Sequence, residues 1–462
     1  MAAPIPTIQR ATTVYTSLDT PFQLGQATRS YEQQYAQLYF YRLVQMRPIL
    51  EEAAKKKWPT GRVIRILDIP DSGEEVVVVG TLYKEMALKP SILDEYTKER
   101  ALAEQLGRTK FTQSDDSVVL EDEGARVTLT GEALLPGDVV TGVLAALKGS
   151  VLPSGEFDVK ELCFAGIPPQ HRRQEGATEE EEDKYVALVS GLGLGGDGGD
   201  ASSHPPTNAL QVQLLMDYCS GALGGAAEQR VAAKIVRVVV AGGLLRGATA
   251  LSQPTAYASL RQQTTALSPI READIRLTEL ASSLPVDVMP GVADPANYSL
   301  PQQPLHRCLF PGSTSYPTFT RSPNPHAFDL DGVRFLGTSG QNVDDILRFS
   351  DLDDSCEILQ RLLTWRHLIP TAPDTLASYP YNDCDPFILE EAPHVLFAGG
   401  QAAFGTAWVE GEEGQKVRVV SVPEFSKTGT MVLVNIRTLE VQPISFEATS
   451  LFGGGGGGMD VE

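Results

Sequence analysis

The chain has 462 residues, 42% of them hydrophobic and 21% charged, and 59 acidic against 38 basic side chains leave a formal net charge of −21. No stretch approaches the roughly 18 consecutive apolar residues of a membrane helix, and the length predicts two or three domains of globular composition. An acidic balance of this size repels a phosphate backbone, which argues against nucleic-acid binding as the main activity and for contact with a basic protein surface.

Residues 1–28 mix proline, threonine and serine without periodicity and read as a flexible lead-in. MAAPIPTIQRATTVY lacks a basic region followed by an apolar core, so no secretory signal is expected. Over 29–58, Ser30 with Gln33 three residues on has the form of a capping box. Tyr35, Leu38, Tyr39, Leu43, Met46 and Leu50 then recur at helical spacing, which predicts an amphipathic helix kinked at Pro48. Its Tyr/Leu/Met face packs on the next domain or forms a partner-binding stripe. From about Glu74 to Ala165 the period falls to two. EEVVVVGTLYKEM, DSVVLEDE, ARVTLTGEAL, DVVTGVLAALKGSV and GEFDVKELCFAG predict a small closed barrel of the OB type over 59–170. A single-strand-binding barrel needs a basic groove and stacking aromatics. These strands offer little beyond Tyr83 and Phe157, so the barrel is read as one that contacts protein. The small basic clusters Lys55-Lys56-Lys57 and Arg172-Arg173 read as solvated helix and linker residues.

HRRQEGATEEEEDK, 171–184, reads as an exposed acidic linker. Strands and helices then alternate over 185–450. Strands are expected at YVALVS, KIVRVVVAGG, VDVMPG, VRFLGTSG, HVLFAGG, VRVVSVP and MVLVNI. Helices are expected around NALQVQLLMDYCSG, TAYASLRQQTTALSPIREADIRLTELASS and SDLDDSCEILQRLLTWRHLI. The tail LFGGGGGGMDVE, 451–462, is of low complexity and reads as disordered.

KYVALVSGLGLGG runs from a strand into glycines spaced G-x-G-x-x-G at Gly191, Gly193 and Gly196. A dinucleotide fingerprint needs the third glycine to open a helix, and DGGDASSHPPT follows instead; the nearest acid, Asp217, lies inside a helix-like segment. A nucleophile elbow fails because Gly337-Thr338-Ser339-Gly340 ends in Gln341. A calcium loop from Asp351 fails at Cys356 and Leu362, leaving Asp351 as a helix cap. His204, His306, His326 and His394 form no ligand spacing and read as structural or surface histidines. Cys163, Cys219, Cys308, Cys356 and Cys384 form no C-x-x-C pair and read as reduced thiols. What stands out is that glycine-bearing loops follow four strands, in VSGLGLGG, VVAGGLLRG, VMPGVADP and VLFAGGQAAFG. A calcineurin-like phosphoesterase keeps two metal ions about 3.5–4 Å apart at such loops, held by Asp, His and Asn.

Several long stretches carry a resemblance: RSYEQQYAQLYFYRLVQMRP at 29–48, VVGTLYKEMALKPSIL at 78–93, VALVSGLGLGG at 186–196, PVDVMPGVADPANYSLPQQPLHRCLFP at 285–311, GVRFLGTSGQNVDDILRFS at 332–350, TAPDTLASYP at 371–380, DPFIL at 385–389 and VQPISF at 441–446. With these the chain resembles the B-type subunits of replicative DNA polymerases, and among them the small regulatory subunits of polymerase delta. The resemblance implies an α/β plus all-β chain, with an N-terminal OB-fold barrel and a C-terminal calcineurin-like phosphoesterase sandwich that is inactive. Its D-x-H motif falls on Ser190-Gly191-Leu192 and its GDxxD motif on Ala241-Gly242-Gly243-Leu244-Leu245. GNH falls on Met289-Pro290-Gly291 and GHxH on Ala398-Gly399-Gly400-Gln401. Asp294 survives near one loop, and one carboxylate does not hold two divalent ions. No catalytic residue, metal or cofactor is then expected. The implied role is a nuclear, non-catalytic scaffold in DNA replication and repair. It would bind the C-terminal region of the catalytic subunit and bridge to a third subunit that links to the sliding clamp. A fourth small subunit and polymerase zeta are further implied partners, with DNA reached indirectly and no membrane. Two rival readings stay open at this point: a working metallophosphoesterase with unusual ligands, and an OB-type single-strand DNA binder. The loop 285–311, with Tyr298, lies either at the inactive pocket or an interface, or packs rigidly on its own domain.

Overall fold

The computed structural model describes residues 8–25, 29–70, 72–89, 109–173, 182–195, 207–246 and 260–447. The Gly-rich tail, Gly196, His204 and most of the Glu-rich run lie outside the described residues.

The first strand, β1, is Tyr15–Ser17, and helix α1 spans Ala36–Lys57. Next come β2 (Val63–Ile64), β3 (Val76–Glu85), β4 (Ser117–Glu121), β5 (Arg126–Thr130), β6 (Leu144–Val151) and β7 (Phe157–Cys163). The order β3-β4-β5-β7-β6 closes because β6 returns to β3, giving the expected barrel. β3 reads VVVVGTLYKE, β-branched at the positions that pair with β6. It changes partner near Gly80, where a Cβ would stand 2.5 Å from the Glu121 carbonyl oxygen, so only glycine lets β4 close in. The strand period of two sorts its side chains: Val76, Val78 and Leu82 fill the barrel, while Val77 and Val79 pack under Leu43, Met46, Leu50 and Ala54 of α1. Burial of that apolar face holds α1 in place, with Pro48 inside one continuous helix.

The second unit holds β8 (Tyr185–Val189), α2 (Thr207–Ser220), α3 (Ala226–Ala233), β9 (Ile235–Ala241), α4 (Leu260–Ala281), β10 (Val286–Met289), β11 (Phe319–Arg321), β12 (His326–Leu330) and β13 (Val333–Thr338). α5 (Gln341–Phe349), α6 (Ser355–Trp365), β14 (Val395–Gln401), β15 (Gly405–Glu410), β16 (Lys416–Pro423), α7 (Phe425–Thr428), β17 (Thr430–Asn435) and β18 (Val441–Ser445) complete it. Among the described residues these strands form two mixed sheets, β11-β10-β9-β8-β17-β18 and β1-β12-β13-β14-β16-β15. Val186, Leu188, Val239 and Met289 of the first meet Phe328, Phe335, Phe397 and Val420 of the second in one cluster, so the sheets face each other. α2 and α4 cover the outer face of the first sheet. α5 and α6 cover the second, and their Ile346, Ile358, Leu362 and Trp365 belong to the same apolar core as the barrel interior. Barrel and sheets are thus one packed body.

Four sequence expectations need correction. Residues 8–24 are not a free lead-in: β1 pairs antiparallel with β12, Phe22 enters the core, and the Arg10 guanidinium donates to the carbonyls of Cys219, Ala232 and Ile235 at 2.8–2.9 Å. A three-residue strand leaves no period to read, and its partners lie more than 200 positions away. α1 starts at Ala36 without a side-chain cap, because the Ser30 N–H donates to the Tyr379 hydroxyl instead. α6 is capped by Asp354, which accepts the Cys356 N–H at 2.9 Å, and not by Asp351. α5 and the strands β11, β12, β15 and β18 lie outside the elements expected from the sequence; α5 begins at Gly340, whose φ of 97° turns the chain out of β13.

Two buried ionic clusters join segments far apart in sequence. In one, the His326 ring stands between Asp19 (Nδ1 to Oδ1, 2.8 Å) and Asp287 (Nε2 to Oδ2, 3.2 Å). Arg237 pairs with Asp287 and lies over the Tyr15 ring at 3.7 Å. Burial works against a charged imidazole, but hydrogen bonds to the two carboxylates outweigh it and raise the His326 pKa from 6.5 to about 9. In the other, Arg42 of α1 is 1% exposed and donates to Asp385 Oδ2 at 2.8 Å and to the Pro370 carbonyl at 3.0 Å. His367 donates Nε2–H to the same carboxylate at 2.9 Å and accepts the Ile369 N–H on Nδ1, which makes it the neutral tautomer. Burial and the nearby guanidinium hold its pKa down at about 4. Burial alone would raise Asp385, but His367 and Arg42 reverse this and hold it well below the usual carboxylate range.

A raised histidine pKa stabilises the fold fully below the unfolded value of 6.5 and loses that contribution as pH rises through about 9. Denaturant melts should therefore show stability falling between about pH 6.5 and 9 with a slope of up to about 1.4 kcal/mol per pH unit and levelling off above, and His326→Gln should flatten it. Arg42→Ala should cost about 3–5 kcal/mol by stranding Asp385. In the double variant with Asp385→Asn the loss should be smaller than the sum of the single losses, as urea unfolding of all three variants would show.

Candidate functional site

The turns after β8, β9, β10 and β14 converge at one end of the facing sheets, and Ser190, Gly191, Ala241, Gly242, Gly243, Met289, Pro290, Gly291, Ala398, Gly399, Gly400 and Gln401 lie in or beside them. The Ser190 hydroxyl donates to the Ala241 carbonyl at 2.6 Å and accepts the Gly400 N–H at 2.7 Å, tying turns from both sheets together. Gly191 N–H donates to the Gly242 carbonyl. Glycine is required for steric reasons. A Cβ on Gly243, at φ 67°, would fall 2.8 Å from the Gly191 Cα, and one on Gly291 would fall 2.5 Å from the Gly243 nitrogen. Backbone thus packs on backbone at these turns.

Asp294 is buried here, but its carboxylate is fully engaged. It accepts the N–H groups of Gly243 (2.9 Å), Leu244 (3.2 Å), Leu245 (2.9 Å) and Gly291 (2.8 Å). Burial pushes its pKa above the ordinary aspartate range while the four N–H donors pull it down. The residue staples the β9 turn to the β10 turn, with three of the N–H groups on Oδ2 and one on Oδ1. Leu192 is fully buried in the core under the first sheet's helices. Ser339 Oγ donates to the Pro290 carbonyl at 2.6 Å, so the strand–turn–helix around it presents no free nucleophile. Gln401 bridges its own turn, donating to the Gly399 carbonyl, to Ser355 of α6, whose hydroxyl it accepts.

Beside the converged turns opens a cleft of about 600 Å³, lined by Gly191, Gly243, Arg246, Asp344, Glu424 and Lys427 among others. Arg246 belongs to the quoted VVAGGLLRG loop, whereas Asp344, Glu424 and Lys427 lie on other elements and form no motif that sequence reading could find. Lys427 and Glu424 pair at 2.6 Å, and burial raises the Asp344 pKa to about 6. Among the described residues no group of three or more His, Cys, Asp or Glu side chains is positioned to hold a metal ion. His394 and His326 lie elsewhere, His394 accepting the Arg334 N–H and donating to the His171 carbonyl. The loop 290–305 is fastened to its own domain through Asp294, Gln302 and Leu300, with Val292 and Tyr298 turned to solvent. On the barrel, Phe157 is fully buried and Lys84 is enclosed with Thr112 and the Phe349 carbonyl, so neither can stack on a base or meet a phosphate. Arg173, read as a solvated linker residue, is half-buried and donates to the carbonyls of Ile436 and Arg437.

Two family models of DNA polymerase subunits divide the chain between the barrel and the two facing mixed sheets. The model of the DNA polymerase delta subunit OB-fold domain matches residues 34–162, and the B-subunit model of DNA polymerases alpha and epsilon matches 186–406. The DNA polymerase delta small subunit of rice (Oryza sativa subsp. japonica) is 46% identical, covering 96% of this chain and 99% of its own length. That of Arabidopsis thaliana is 45% identical over 95% and 96%. The Saccharomyces cerevisiae small subunit is 30% identical over 92% of each. The chain belongs to the family of DNA polymerase delta small subunits.

Asp294→Ala should orphan four backbone N–H groups and destabilise the chain by about 2–4 kcal/mol. Thermal melts with and without added Mn²⁺ should show the same loss, since Asp294 acts on the backbone and not through an ion.

Proposed function

We propose that this chain is the non-catalytic scaffold of a DNA polymerase delta complex, acting in DNA replication and repair in the nucleus. Its second unit is read as a calcineurin-like phosphoesterase sandwich that has lost its metal site. The domain limits follow the sequence: helix 29–58, OB domain 59–170, linker 171–184 and phosphoesterase-like domain 185–450. The observation that carries the non-catalytic reading is the closure of the four turns backbone to backbone, with the one surviving carboxylate spent on four N–H groups. Hydrolysis through two metal ions needs several anionic or imidazole ligands aimed at a common point, and the motif positions that the resemblance assigns to such ligands are here Ser190, Gly242, Pro290 and Gly399. A surface with a net charge of −21 suits association with basic protein segments over DNA.

In this reading the chain holds the C-terminal region of the catalytic subunit and bridges to a third subunit that connects to the sliding clamp, with polymerase zeta as a further client. Large permanent interfaces of this kind bury about 2,000 Å² or more. Co-expression with the catalytic subunit's C-terminal region followed by size exclusion should give one stable one-to-one peak, lost when that region is deleted. Separate elution of two folded proteins would overturn the assignment. Stoichiometric divalent metal with phosphodiester cleavage by the purified chain would overturn its non-catalytic part.

A further inference from the structure

We infer that the outer edge of β15 docks an extended acidic segment of a partner protein, which adds to the second sheet as one more strand. β15 ends that sheet and, among the described residues, pairs with β16 alone. The register identifies its free groups. At the hairpin tip the Gly411 N–H donates to the Gln415 carbonyl, and bonded pairs alternate along an antiparallel ladder, so Gly405, Ala407 and Val409 bond to β16. Arg418 agrees with this phase, since its N–H points away from β15 to the His394 carbonyl. The N–H and C=O groups of Thr406, Trp408 and Glu410 therefore face outward. Other sheet edges are guarded: β18 carries Pro443, and β1 and β11 are three residues long. β15 is twice that length and reads GTAWVE, with neither proline nor lysine to blunt it.

Charge and shape select the occupant. Trp408 is 45% exposed, with the Arg418 guanidinium 5.0 Å from its ring centroid. Beside it opens a groove of about 820 Å³ whose charged lining is Arg172, Arg173 and Lys416 against Glu413, with the buried His394 and exposed His171 completing its titratable side chains. Glu413 is engaged by Lys56 at 3.3 Å, and Lys416 reaches Glu410 at 3.0 Å. In a chain with 59 acids and 38 bases, a groove of positive balance is a local exception that admits carboxylates and rejects basic segments. An added strand places alternate side chains on one face. Carboxylates at every second position would thus meet the groove on the Trp408 side, while the intervening apolar residues lie on the Val409 side. Cations and a tryptophan alone would also suit single-stranded nucleic acid. A row of outward backbone donors and acceptors suits a polypeptide, and this decides between the two.

The test uses the full chain and a fluorescein-labelled peptide alternating valine and glutamate, read by anisotropy. The valine–lysine counterpart and oligothymidylate serve as competitors. Trp58 and Trp365 are buried, so acrylamide quenching of the intrinsic fluorescence reports Trp408. The acidic peptide should bind and shield Trp408, and the lysine peptide should not compete. Thr406→Pro removes an outward N–H and leaves the backbone bonds of the β16 ladder in place, losing only the hydroxyl's bond to the Val419 carbonyl. It and the surface double variant Arg172→Glu with Lys416→Glu should each weaken binding at least about tenfold while the melting temperature stays near wild type. If Thr406→Pro unfolds the chain, the double variant decides. The inference is overturned if the acidic peptide does not bind, if both peptides bind equally, if neither variant changes affinity, or if oligothymidylate displaces the peptide from both wild type and Thr406→Pro.

Discussion

A guanidinium sealed from water must meet an anion, and Arg42 meets Asp385 across the seam between the barrel's helix and the second unit. The cost of removing both charges from solvent is recovered only because the geometry is fully specified: Asp385 also accepts from His367, and Arg42 also donates to the Pro370 carbonyl. Neighbouring backbone is shaped to this contact. Gly142 takes a φ of 93° and approaches Pro370 so closely that a Cβ there would stand 2.0 Å from its carbonyl oxygen. An apolar seam of the same area would tolerate sliding; a buried ion pair tolerates one docking angle. The apolar core running from Val78 of the barrel through Leu362 to Leu396 then supplies most of the attraction, while Arg42 sets its register.

The second ionic cluster does the same for the two sheets. Asp19 comes from the N-terminal strap, Asp287 from the first sheet and His326 from the second, so one protonated ring ties three segments into one arrangement. With Arg237 the cluster holds two cations and two anions, which is why burial of all four is tolerable.

At the converged turns, glycines that let strands end abruptly also let four turns touch, main chain against main chain. Ser190 satisfies a carbonyl and an N–H at once. Asp294 satisfies four N–H groups that would otherwise be buried without partners. Of the charged groups lining the cleft, Glu424 and Lys427 pair with each other, and Asp344 and Arg246 come from separate elements.

Much of this was legible in the linear chain wherever a local period or a local motif carries the information. The alternation in VVVVGTLYKE set the two faces of β3, and the apolar runs IVRVVVA and VLFAG marked strands buried on both sides. The glycine-bearing turns could be placed at one end of the sheets because each follows such a strand. What the sequence could not determine by itself is whatever depends on partners hundreds of residues apart. The three-residue β1, the uncapped start of α1 and the unpaired edge of β15 have weak local signals, and tertiary packing decides them, whereas QNVDDILRF carries a helical apolar period at Val343, Ile346 and Phe349 that sequence reading passed over. The same holds for charge: composition states that the chain is acidic, but only the fold shows that Arg42 and His326 are buried with counter-ions while Arg172 and Lys416 line an open groove. Local propensity is a property of neighbours in sequence, whereas burial and pairing are properties of neighbours in space.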